Sequence, residues 1–207
     1  MHACTVADIV MVLNWLPAQD YSELAGVVLR QPKRKEQILA GVWGRFLCLA
    51  NVGRPQDGTV EGPLLVLEAR DPNRRWRRSK HAGPEEAAEL ERLEGDGHVL
   101  RRTHSQTEVH SSLEAVRATQ LYRTLPHEIG HLVDYCTQVP RDGLDADRCF
   151  ELAQIYWRLP VQEKESFAHR YADAFRARMQ TEGKLPFPRI ESWDDDGLRQ
   201  SDFLISG

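Results

Sequence analysis

The sequence predicts an α+β protein, with a small mixed sheet in the first half packed on a helical second half. Two observations lead there: short apolar runs bounded by Gly and Pro occupy the middle of the chain, and helical periodicity governs Leu113 to Gln180. Taken in order, Thr5 to Trp15 places Val6, Ile9, Val10 and Leu13 at helical spacing, with Thr5 as N-cap. Ser22 to Arg30 reads as a second helical piece capped by Ser22. A strand is expected over Val42 to Ala50, loosened or bulged at Gly41 and Gly44 and closed by Gly53 and Pro55. Leu64 to Ala69, between Gly62-Pro63 and Asp71-Pro72, is a second strand. Pro84 to Glu94 is an Ala/Glu-rich helix stopped by Gly95-Asp96-Gly97, and His98 to Thr103 is a third strand whose polarity suits a sheet edge. Gly183 to Gly207, with Pro186, Pro188, Trp193 and an acidic triplet, reads as an irregular wrap or tail.

No internal repeat or low-complexity linker divides the 207 residues, so the expectation is one domain over 1–207. Its parts are a helix and strand region at 1–110, a helical region at 111–182 and the tail at 183–207. With 41% apolar and 28% charged residues the composition is that of an ordinary soluble globular protein. A net charge of −4 weighs against a general affinity for nucleic acid or anionic membrane. The apolar stretch Val6 to Leu16 is too short to span a bilayer, is interrupted by Asp8 and Asn14, and lacks a preceding Lys or Arg. Cys4, Cys48, Cys136 and Cys149 show neither zinc-ribbon nor disulfide-framework spacing, so buried thiols in a reducing, cytoplasmic setting are expected.

The chemistry concentrates in Leu125-Pro126-His127-Glu128-Ile129-Gly130-His131-Leu132-Val133-Asp134-Tyr135, which contains H-E-x-x-H. Residues four apart on a helix lie on one face, so both imidazoles reach one Zn²⁺ per chain, while Glu128 is offset and free to act as general base. The apolar neighbours Leu125, Ile129, Leu132 and Val133 bury this helix, and two histidines beside a glutamate in a core need a reason. Pro126 places the start of the helix just before His127, with Thr124 as cap and Leu113 to Arg123 as a separate helix. Gly130 lets another element pack closely between the two ligands. A catalytic zinc takes three protein ligands and keeps a fourth position open. Downstream, Phe167, Ala168, Tyr171, Ala172 and Phe175 form an apolar stripe with Glu165 at its edge, and Glu163 and His169 lie nearby as other candidates. Asp134 and Asp173 are either partners for a ligating histidine's free N–H or solvated carboxylates.

The pairing of H-E-[FI]-G-H-x-x-D with a later E-x-F-A-x-x-[FY] resembles the gluzincin metallopeptidases. It is most similar to the group that includes the anthrax lethal factor catalytic domain and the Pro-Pro endopeptidases. The resemblance runs from about Tyr122 to Phe175. It implies a zincin-like fold, hydrolysis of peptide bonds in a peptide or protein substrate, Glu165 as third ligand beside His127 and His131, and Glu128 as base. It implies an endopeptidase more than an exopeptidase. In that group a tyrosine two helical turns before the glutamate ligand stabilises the oxyanion. Arg158 stands at the matching position, so the candidate donors are Tyr156, Arg158 and His169. The departure sustains an alternative, a non-catalytic zinc-binding zincin-fold regulatory or interaction module. By the same analogy an edge strand upstream of the metal helix receives the extended substrate, and His98 to Thr103 is the expected strand.

Other signals are read as bland. Arg74 to Lys80, a basic run around Trp76, is expected to be a solvated loop and not a nucleic-acid grip, and Asp194 to Asp196 a solvated turn. His98, His104 and His110 are expected at the surface or in strands, and Cys136 as a packing residue.

Overall fold

A computed structural model describes residues 2–33, 42–54, 58–73, 75–79, 83–140, 143 and 145–191. Arg74 and Lys80 of the basic run, Gly41, and the acidic triplet with the rest of 192–207 lie outside the described residues.

Helix α1, Val6–Leu13, starts where Thr5 and Asp8 cap each other. The Asp8 N–H donates to the Thr5 hydroxyl and the Thr5 N–H to the Asp8 carboxylate, both at 3.0 Å. A turn at Ala18–Asp20 leads into strand β1, Gly26–Arg30, followed by β2, Gly44–Arg54, and β3, Gly58–Glu68. These form one mixed sheet in the order β1-β3-β2, with β1 parallel and β2 antiparallel to the central β3. The helical reading of Ser22 to Arg30 is overturned here. Val27, Val28 and Leu29 pair with Leu65, Val66 and Leu67, and the β-branched pair fits that ladder better than a helix. As the central strand, β3 buries Leu64, Leu65, Val66 and Leu67 in succession, the continuous apolar run of a strand covered on both faces.

A second sheet, antiparallel and in the order β4-β6-β5, comprises β4, Trp76–Ser79, β5, Val99–Arg102, and β6, Gln106–His110. The polar strand expected at His98 to Thr103 is β5, and it does occupy an edge. The basic run is strand and not loop over Trp76–Ser79, because Arg77 and Arg78 pair in register with Glu108 and Thr107. Helix α2, Pro84–Gly95, opens on a proline and ends at Asp96, as the sequence indicates.

Helix α3, Leu113–Thr119, runs without a break through a π turn, Gln120–Thr124, into α4, Leu125–Gln138. The expected separation at Thr124 is therefore absent. Thr124 is helical and makes no side-chain cap, and the Leu125 N–H reaches back five residues to the Gln120 carbonyl. The wide turn absorbs the bond that Pro126 cannot make and lets the chain stay helical. Helices α5, Ala146–Arg158, and α6, Val161–Thr181, complete the second half. The main core joins Ile9 and Val12 of α1, Leu65 and Leu67 of β3, Leu125, Ile129 and Leu132 of α4, and Phe175 and Met179 of α6. Beyond α6, the segment to Glu191 wraps back over α1: Arg117 donates to the Phe187 carbonyl at 2.8 Å, and the Ile190 N–H to Asp8 at 3.0 Å. The four cysteines form no disulfide, and only Cys4 is fully buried. Among the described residues no helix is long and apolar enough to cross a membrane.

Candidate metal centre

Two close approaches shape the site, and each depends on a glycine. A side chain at Gly130 would place its Cβ 2.9 Å from the Ala168 Cα and 3.1 Å from the Tyr171 Cβ, so α6 can cross α4 between His127 and His131 only because Gly130 has none. A Cβ at Gly44 would lie 2.6 Å from Thr124 Cγ2 and 2.9 Å from the Val66 carbonyl oxygen, so the start of β2 reaches α4 beside Glu128 by the same means.

The crossing brings Glu165 of α6 onto the two imidazoles of α4. Glu165 Oε2 lies 3.4 Å from His127 Nε2, and Oε1 lies 3.5 Å from His131 Nε2. One donor atom from each of the three residues falls within 4.8 Å of the others. Tetrahedral zinc with bonds of about 2.0–2.1 Å separates its ligand atoms by roughly 3.3–3.4 Å. Each imidazole thus has a Glu165 oxygen near that separation, and the two-nitrogen, one-oxygen chemistry of this donor set suits such an ion. Glu163 is exposed and is not part of this cluster, whereas Glu165 is.

The electrostatics follow from this packing. Hydrogen bonds with His127 and His131 hold the Glu165 carboxyl well below the usual carboxylate range, against the effect of its partial burial. Burial works to lower the His131 pKa, but the bond to Glu165 and the charges of Glu128, Glu165 and Asp134 outweigh it and raise the pKa. Glu128 is almost fully buried, and desolvation pushes its pKa up, offset in part by the two histidines and a hydrogen bond from the Phe46 backbone. A carboxylate raised this way is better matched to taking a proton near neutral pH. Among the described residues His127 Nδ1 is buried without a partner, so neither Asp134 nor Asp173 accepts from that ring.

The cluster opens onto a cleft of about 1130 Å³. Its walls are the segment Val42 to Phe46 leading into β2, α2 through Glu85 and Glu89, α4, and the α5–α6 corner through Tyr156, Trp157 and Lys164. The edge strand at the cleft is therefore β2, not β5, whose residues do not line it. The three candidate oxyanion donors separate. Tyr156 and His169 line the cleft, whereas Arg158 is exposed and does not. Two residues on a helix differ by about 200° in direction, so Tyr156 and Arg158 cannot share a face. Tyr156 is buried and donates its hydroxyl to Asp134 Oδ2 at 3.1 Å; burial and then the Asp134 charge push its pKa up. Asp134 is thus a buried partner of Tyr156, while Asp173 is exposed. The His169 ring packs on His127 with centroids 4.6 Å apart, and burial, followed by the His127 charge, lowers its pKa. Trp157, Lys164 and the Trp43–Phe46 wall escaped sequence reading. Gly44, between Trp43 and Arg45, was the legible trace of the last. Compared with protein-family models, curated proteins and solved structures, the chain finds no match.

Proposed function

We propose that the chain is a zincin-like, zinc-dependent metallopeptidase acting in the cytoplasm on peptide or protein substrates, an endopeptidase with one zinc per chain. The observation that carries this reading is the approach of the Glu165 carboxylate to both imidazoles, at 3.4 and 3.5 Å, beside a buried Glu128, in a cleft open to solvent. Four cysteines without disulfides suit a reducing compartment.

His127, His131 and Glu165 would hold the ion, which when bound supplies Lewis acidity toward a carbonyl and acidifies water. Glu128 accepts a proton from the attacking water at its carboxylate and returns it to the leaving amine, helped by the burial that raises its basicity. The cleft-facing start of β2, an edge strand, offers backbone groups to an extended peptide. His169 and Tyr156 face the position where negative charge develops, and Tyr156 would have to release Asp134 to donate there.

Zinc content and peptide cleavage together test the proposal. Protein prepared without chelator should carry about one zinc per chain, as structural and catalytic sites of this ligand type do. Glu128→Gln should keep that zinc and lose about 10²–10⁴-fold in kcat, the usual size of a general-base contribution. Full activity in that variant removes Glu128 from the role; absence of zinc removes the site.

One observation favours a second reading, a non-catalytic module braced by zinc: the Tyr156 hydroxyl is already committed to Asp134, and Arg158 points away from the cleft. Stoichiometric zinc with no cleavage across a proteome digest would select it.

A further inference from the structure

The cations lining the cleft are not equivalent. Arg45 is paired with Glu68 at 3.5 Å, Arg92 with Glu89 at 3.1 Å, and Arg123 with Glu89 and Asp96, each at 2.8 Å. Lys164 is different. Among the described residues no carboxylate lies within ion-pair distance of it, and its ammonium rests over two aromatic rings, 5.3 Å from the Tyr156 centroid and 5.4 Å from that of Trp157. Those rings hold it in place. Trp157 stacks on Tyr135 at 5.9 Å and meets Tyr156 edge-on at 5.1 Å, yet its side chain remains 46% exposed along the cleft. Beside it Val161 is 68% exposed, so the corner offers an apolar ledge ending in an uncompensated positive charge. Lys164 also directly precedes Glu165, which places the ledge next to the reacting centre.

We propose that Lys164, seated on Tyr156 and Trp157, is the specificity-determining cation of the cleft and selects peptides presenting a carboxylate on an apolar stem, a glutamate or aspartate side chain close to the scissile bond. This rests on the peptidase reading above. The ring faces hold an ammonium that no carboxylate within ion-pair distance answers among the described residues, so a substrate carboxylate entering the cleft gains a charge-assisted hydrogen bond without displacing an internal partner. A substrate with the uncharged amide leaves the same cation unanswered, and a basic residue meets repulsion. The stem lies on the Trp157 and Val161 surface.

Peptide pairs differing only by Glu against Gln at each position around the cleavage point, with free or amidated C-termini, provide the test. For the zinc-loaded wild type, kcat/KM should favour Glu by about tenfold at one position, mainly through KM, as a hydrogen bond to a charged group implies. In Lys164→Met the ratio should collapse towards one, and in Lys164→Glu it should invert in favour of a Lys-containing peptide. In parallel, tryptophan fluorescence of the Glu128→Gln variant should report tighter binding of the acidic peptide than of its amide, a difference lost when Lys164→Met is added. A preference that follows the free C-terminus instead of the side chain would support the cation's role and assign the carboxylate to the peptide end. Equal cleavage and equal binding of acid and amide, or a ratio unchanged in Lys164→Met, overturns the inference and leaves the peptidase reading standing. Failure of the wild type to cleave any peptide overturns that reading instead, and the binding arm then decides Lys164 alone.

Discussion

Two polar clusters flank the π turn along the helix that runs from Leu113 to Gln138, and they are built on opposite plans. Before and within the turn, Thr119 and Arg123 converge on Asp96, which also receives Arg176; the contacts are 2.8, 2.8 and 2.6 Å. Asp96 is buried and its carboxylate is answered by donors within the chain, while Arg123 Nη2 is left without a partner among the described residues. After the turn, His127, His131 and Glu165 direct acceptor-capable atoms at one another, with the buried Glu128 adjacent. The first cluster sets its carboxylate against internal cations. The second brings two imidazoles and a carboxylate to one point beside an open cleft. Two histidine environments repeat the contrast. His98 places its ring nitrogens 2.9 Å from Ser111 Oγ and 3.0 Å from Thr119 Oγ1, and burial, more than its charged neighbours, lowers its pKa to about 4. His131, half-buried at the cleft, has its pKa raised because its neighbouring carboxylates outweigh the lowering effect of burial. Burial of polar residues does not distinguish a site; convergence of ligand-type side chains on one point of an open cleft does.

Zinc provides the largest expected effect on this comparison. At a free zinc concentration about a thousandfold above the dissociation constant, binding to the folded state alone adds roughly 4 kcal/mol, so thermal melts should rise sharply for the wild type and barely for Glu165→Ala. An equal rise in both would show that the cluster does not hold the ion. Asp96→Ala should destabilise the metal-free protein by about 3 kcal/mol in urea melts, because Arg123 and Arg176 lose a buried counter-charge while Arg123 keeps Glu89. A loss under about 1 kcal/mol would show the hub to be no more than a surface ion pair.

Acid gives the next effect. The folded pKa of His98 is below that of the unfolded chain, so the unfolded state takes up the proton first. Its contribution is present above pH about 6.5 and is lost as pH falls towards 4, by at most about 3 kcal/mol; His2, lowered to about 4 by burial, acts in the same window. Urea melts across that range should show a shallower slope for His98→Gln, and an identical slope would count against the assignment. The smallest effect is expected at Gly130→Ala. The added methyl against Ala168 and Tyr171 should cost about 1–3 kcal/mol and weaken zinc binding, since the helices that carry the ligands must part.

Much of the fold was legible where the signal is local. The Thr5 cap, the Pro84 start and Asp96 end of α2, and the polar edge strand β5 all follow from neighbouring residues. Strand β1 was misread because Val27 to Leu29 also suits a short helix, and only its parallel partner β3, distant in sequence, decides between them. Strands β4 and β6 escaped because Arg77 and Glu108 are polar and find each other only across the sheet.

By itself the sequence determined that His127, Glu128 and His131 share one helix at a spacing that puts both imidazoles on one face, since 3.6 residues per turn leaves no other arrangement. It also determined that Glu165 stands at the margin of an apolar stripe. Tertiary structure alone decided that Glu165 and not Glu163 meets the histidines, that β2 and not β5 walls the cleft, and that Tyr156 and not Arg158 faces it. Each of these depends on where one element crosses another, and the crossings at Gly130 and Gly44 are set by contacts between residues far apart in the chain.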